Sequence, residues 1–286
     1  GVGIFFSRRD KTIEDFFLAG RRIPWWAAGI SIFGTQLSAI TFMAVPATAF
    51  AGDWRRFAGS IMMLPVFVLV IIYFMPVFRR LNLTTAYEYL EIRFNRSLRV
   101  AASGLFILFQ LARMGIVLLL PALALSAVTG MNVHVCIALM GVFATVYTAL
   151  GGISAVIWTD VLQVVVLIGG AILCFCSATA DVGGPFEMWS LASAEGKTDI
   201  FHWEWSASDM VGWVVIVGFF FTNLVPYTTD QTVIQRYLTT RDEKEANRSL
   251  WLNFFITIPT GVLFYGLGTA LYIYYSQHPA EEALLP

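Results

Sequence analysis

The chain has 286 residues, is 58% hydrophobic and only 13% charged, has a mean hydropathy of +0.72 and carries a net charge of −1. A soluble domain has about 25% charged residues, so aqueous folding would leave too much apolar surface uncovered. The near-neutral balance and the lack of a basic block exclude nucleic acid as a partner and point to a polytopic membrane protein embedded in a lipid bilayer.

The first stretch, GVGIFFSRRDK, lacks the order of basic region, apolar core and cleavage site that marks a signal peptide. It reads as the end of a spanning helix entering a basic loop. The far end, HPAEEALLP, stops in a loop. Both ends suggest a piece of a longer protein, with residues 1–23 as the tail of a preceding helix plus a loop.

Apolar runs predict seven spans, at 24–49, 57–78, 98–128, 133–150, 155–179, 209–228 and 249–275. The first is unusual. Trp25 to Phe50 is long enough to exceed the ~30 Å hydrocarbon core at ~1.5 Å per residue. Yet its middle holds Gly34, Thr35, Gln36, Ser38 and Thr41, and Pro46 comes after them. Small polar residues can act as helix-packing glue. Five within eight residues exceed that need, and a polar, glycine-broken middle is tolerated only beside a hydrated or ligand-filled cavity. Broken helices near the midplane present carbonyls and amides to solutes and ions.

Between spans two and three, Thr84 to Arg96 predicts a short amphipathic helix with Thr84 or Thr85 as N-cap. The third span carries Arg113 at its centre, where an arginine costs at least ~2.5–3.5 kcal/mol. One reading is a clamp for a substrate carboxylate, which matches the guanidinium fork. The other is a structural arginine satisfied by carbonyls or an internal acid. Near the start of the fifth span, Asp160 is either a ligand for a hard cation, a proton-coupling group, or a first-turn carboxylate favoured by the helix dipole. Asp230 lies past Pro226 at the predicted end of span six and reads as a helix cap or solvated residue before a ligand. Trp189, Trp203 and Trp205 in the preceding loop predict an interfacial aromatic belt.

Assigning the Lys and Arg residues to alternate loops places fourteen on one side and three on the other, with Arg113 left inside. The positive-inside rule puts the basic side in the cytoplasm, as in a multi-pass plasma membrane protein, a bacterial inner-membrane one by this reading. Cys136, Cys174 and Cys176 all lie in apolar runs and read as buried small hydrophobes. No nucleophile–base or metal constellation appears, and an enzyme is the least supported reading.

Four strings carry a resemblance: DFFLAGRRIPWWAAGISIFGTQLSAITFMAVP, TAYEYLEIRF, YTALGGISAVIWTDVLQ and VIQRYL. They resemble the sodium:solute symporter family, over the whole chain, and within it the bacterial sialic acid transporter branch. The resemblance implies an all-α, LeuT-type fold of two inverted five-helix repeats. Residues 24–179 would be the first repeat, and 209–275 the first two helices of the second. It implies sodium ions at the carbonyls of Gly34 and Leu37 and at Asp160. Substrate contacts fall on Ser38 and Thr41, the carboxylate on Arg113, and an outer aromatic gate on Phe219. Ser60 stands where the branch has a glutamine, and Arg56, beside Phe57, where it has the partner gate aromatic. The expected activity is sodium-coupled symport of a small organic solute, an acidic sugar such as sialic acid or another carboxylate. A neutral-sugar symporter and a transporter-like sensor domain are the alternatives.

Overall fold

The computed structural model describes residues 13–37, 39–81, 85–201 and 212–278. Ser38, Trp203 and Trp205, and with them one expected substrate contact and two of the expected belt tryptophans, lie outside the described residues.

The described residues are helical in almost every element. In chain order they are α1 (Ile13–Leu18), α2 (Trp25–Gln36), α3 (Ala39–Ala51), α4 (Arg55–Arg80), α5 (Glu88–Arg93), α6 (Arg96–Thr129), α7 (Val133–Ala180), α8 (Pro185–Ala194), α9 (Gly212–Thr228), α10 (Gln231–Leu238) and α11 (Glu243–Gln277). Among them α4, α6, α7 and α11 are each long and apolar enough to cross a bilayer. Two interrupted pairs, α2 with α3 and α9 with α10, qualify as one span apiece.

These six runs hold the seven expected spans, because spans four and five are the two arms of α7. Its 48 residues would extend ~72 Å as a straight rod, more than twice a hydrocarbon core. At Gly152 the backbone turns to φ 55°, ψ −160°. Only glycine tolerates that region without strain. A Cβ there would also stand 2.8 Å from the carbonyl oxygen of Phe16.

Local chemistry accounts for other ends. Asn95 begins α6, its Oδ1 accepting from Leu98 N at 2.9 Å. Thr85 Oγ1 accepts from Glu88 N at 3.2 Å, but the residue that precedes α5 is Tyr87, and Thr84, the other expected cap, lies outside the described residues. In α4, Val70–Phe74 widens into a π turn, a feature found often at functional sites.

The helix of span six ends at residue 228, as expected, and a separate helix, α10, follows after a bend of 56°. One correction concerns the cysteines. Cys136 is buried, but Cys174 and Cys176 are exposed on α7. A thiol is apolar enough to face an apolar surrounding.

Residue packing divides the chain into two units. The first comprises Gly1–Ile40, Val68–Val164 and Val225–Asn253; the second comprises Thr41–Phe67, Val165–Leu224 and Phe254–Pro286. In the first unit, Ala19, Ile23, Ala27, Ala28, Ile153 and Ile157 form a buried cluster that seats the start of α2 against the second arm of α7. Trp26 and Trp158 meet edge to face at 5.5 Å beside it. In the second unit, Ala49, Trp54, Phe57 and Tyr265 form a core. Trp54 Nε1 donates to Thr269 Oγ1 at 2.9 Å within it, and Trp189 of α8 packs edge-on against Trp54 at 5.2 Å.

Candidate functional site

Within the first unit, α2 carries a buried serine, Ser31, one turn before Gly34. Gly34 is where α7 comes closest: a Cβ on it would lie 2.8 Å from Val164 Cγ2 and 3.6 Å from Asp160 Cβ. Any larger residue would push the two helices apart. The last helical residue is Gln36, and Leu37 leaves helical geometry at φ −82°, ψ 95°. Leu37 N still donates to the Phe33 carbonyl at 2.8 Å, and there the α2 ladder ends.

Asp160 faces this turn. Its Oδ2 accepts from Ser31 Oγ at 2.5 Å, from Arg236 Nη2 at 3.0 Å and from Arg236 Nε at 3.3 Å. Arg236 Nε also donates to Ser31 Oγ at 2.8 Å, and its Nη1 donates to the carbonyl of Thr232. Side-chain exposures of 10% and 13% make the Arg236–Asp160 pair an interior one. All three bonds to Asp160 use one oxygen. Among the described residues no hydrogen bond reaches Oδ1.

Arg236, which the sequence assigns to a loop, is buried within the protein, on α10 with the buried Val233, Ile234, Tyr237 and Leu238. Those neighbours recur at helical spacing, and that periodicity is the signal that could have placed it.

Arg113 on α6 has an acid partner. Its Nη1 lies 3.8 Å from Asp230 Oδ2. Asp230 is a cap, as its sequence context suggests: its Oδ1 accepts from Thr232 N at 2.8 Å and Thr232 Oγ1 at 2.6 Å, starting α10. It sits just past the end of α9, between α9 and α10.

A cavity of about 340 Å³ opens beside that interruption, lined by Tyr73 and Phe74 of the π turn, Tyr87, Thr228 and Thr229 among others. Tyr87 Oη donates to the Thr229 carbonyl at 3.2 Å. Burial and then the charge of Asp230 push the Tyr87 phenol up to about 12, so it stays a donor. None of the expected site residues lines this cavity.

The remaining expected residues belong to the second unit. Thr41 lies on α3. Ser60 lies in the first turns of α4, its Oγ 4.0 Å from where a Cβ on Gly261 would stand. The Phe219 ring of α9 packs directly on Gly59, so closely that a Cβ placed there would overlap it. Arg56 is exposed, while the adjacent Phe57 is buried against Trp54 and Tyr265. No cluster of three or more His, Cys, Asp or Glu side chains with metal-binding geometry occurs among the described residues.

Comparisons with known proteins fit this arrangement. The model of the sodium:solute symporter family matches residues 16–282. The chain is similar to the sodium/sialic acid symporter SiaT of Proteus mirabilis, 41% identical over 287 residues, covering 100% of this chain and 57% of that protein. It is 41% identical over 282 residues to the sodium/sialic acid symporter NanT of Aliivibrio fischeri, covering 97% and 55%. The human sodium/iodide cotransporter is 33% identical over 257 residues, covering 88% and 40%. The chain thus spans little more than half the length of the two bacterial relatives. A solved sodium-coupled sialic acid symporter, in a substrate-bound outward-open state with a novel sodium site, superimposes with a TM-score of 0.92 at 40% identity, covering 100% of this chain and 60% of that one.

Proposed function

The chain belongs to the sodium:solute symporter family and carries part of its LeuT-type, multi-pass membrane fold, and from that membership we propose that the intact protein imports an acidic organic solute together with sodium ions. Sialic acid is the first candidate solute, since the similar bacterial proteins and the solved relative are named for it. Other carboxylates are the second, because Ser60 stands where the resemblance to the sialic acid branch implies a glutamine. The observation that carries the reading is Arg113: a permanent cation in mid-helix whose nearest acid is 3.8 Å away, beyond hydrogen-bond reach. Its fork is open to a carboxylate.

Sodium fits two places in the first unit. One is the end of α2, with the carbonyls of Gly34 and Leu37. The other is Asp160, whose Oδ1 is open while Arg236 and Ser31 hold Oδ2. Ser38, Thr41 and Phe219 are proposed as solute contacts and gate. A bound ion would stiffen the interrupted helix and favour the outward-facing state; solute would then close the gate. Such coupling is reciprocal, each ligand raising the affinity for the other. The basic loops face the cytoplasm in this account, and the membrane is the bacterial inner membrane.

Magnitudes favour more than one ion. A tenfold sodium gradient supplies ~1.4 kcal/mol per ion, and 100 mV adds ~2.3 kcal/mol per charge. A monoanion moving with one sodium carries no net charge, so only about tenfold accumulation remains. A second sodium restores the voltage contribution. Uptake of labelled acidic and neutral sugars by Arg113→Ala tests the solute class. Acidic uptake falls to background in the variant; acidic uptake at the parent level would overturn the reading.

A further inference from the structure

We propose that Asp230 is the resident counter-anion of Arg113, against whose charge a solute carboxylate must bind, and that it thereby sets the affinity of the site for acids. The inference rests on the reading of Arg113 as the carboxylate clamp.

The two oxygens of Asp230 have separate tasks. Oδ1 accepts both from the backbone N–H and from the hydroxyl of Thr232, and so holds the first turn of α10. Oδ2 takes no part in that cap and faces Arg113 Nη1. A carboxamide or hydroxyl would cap as well; only the carboxylate also supplies charge. The sequence uses the charged version next to an intramembrane arginine.

The distance is informative. At 3.8 Å the pair attracts but does not hydrogen-bond. Arg113 cannot deprotonate, so in the absence of solute its charge needs a balancing anion in a low-dielectric setting. Asp230 provides it. Yet none of the five N–H groups of Arg113 is hydrogen-bonded to a described residue, so the fork stays available. A solute carboxylate can dock in two parallel bonds that Asp230 does not make. In doing so it enters beside a like charge, which opposes its binding. The side chain of Arg113 is 35% exposed and that of Asp230 only 12%, so the arginine has the open side from which an anion can approach.

Removing the charge while keeping the cap isolates this effect. Asp230→Asn retains an acceptor at Oδ1 and loses the competing anion. The half-saturating concentration for the acidic solute, measured as sodium-dependent uptake by the intact protein in vesicles, falls on the order of tenfold, within the usual ~5–150-fold range of couplings between ligands. Asp230→Ser, which also caps, falls in the same direction and serves if the asparagine variant folds poorly. Folding of each is checked by its thermal transition in detergent. An unchanged or raised half-saturating concentration in a folded variant overturns the inference. Arg113→Ala is measured alongside. Loss of acidic uptake there with no tightening in Asp230→Asn removes only the counter-anion inference; undiminished uptake in Arg113→Ala removes the clamp reading beneath it.

Discussion

Ser31, Asp160 and Arg236 form an interior hydrogen-bonded polar group in the first unit. Their charges are interior, at 10% and 13% exposure for the pair, so solvent screens them little. Breaking such a pair from one side leaves a buried uncompensated charge and costs roughly 3–5 kcal/mol, whereas replacing both partners together costs far less. Arg236→Gln should therefore lower the thermal transition of the purified protein clearly, and the double change with Asp160→Asn should recover much of that loss. Equal destabilisation in single and double variants would show the pair to be unimportant. Asp160 is visible in the sequence, since an acid inside an apolar run stands out. Arg236 is hidden there, because arginine near a run of charged loop residues looks like one more loop cation. Only the apolar residues flanking it within α10, read at helical spacing, separate the two cases.

The long helices are legible because membrane spans announce themselves by length and hydropathy; α4, α6 and α11 fall within a few residues of where the apolar runs place them. The interruptions are harder. In α7 the adjacent glycines Gly151 and Gly152 lie in the expected gap between two spans, and the backbone turns there. In α9 the helix ends at Thr228, where the apolar run ends, with Pro226 in its last turn, but a new helix begins at Gln231. A proline removes one donor without deciding whether a helix resumes beyond it. The π turn at Val70–Phe74 leaves no mark in the residue pattern that periodicity could detect. Gly152 offers the sharpest test of an interruption. Gly152→Ala combines a strained φ with a Cβ 2.8 Å from Phe16 O, so a loss of ~1–3 kcal/mol or more is expected. Its thermal transition should drop measurably below the parent's, and an unaltered transition would mean the turn is not held as described.

For the molecule as a whole, the all-α membrane class and the carrier family are already present in the composition and in four strings of sequence. The unequal split of basic residues between alternate loops, fourteen against three with Arg113 left inside, is read from the sequence alone. The expected solute and ion contacts are legible only as types. Gly34 and Asp160 are brought together at the end of α2, and Arg113 is placed with Asp230, a partner that no spacing rule connects across more than a hundred residues. Long-range pairing of this kind is a property of the fold, and local pattern carries no record of it.

Sodium coupling is the claim on which the functional account rests. It is tested by loading vesicles that hold the intact protein, imposing an inward sodium gradient, and tracking a labelled acidic sugar. Replacing external sodium by choline should reduce accumulation to the level of protein-free vesicles; accumulation that proceeds equally well in choline would contradict it.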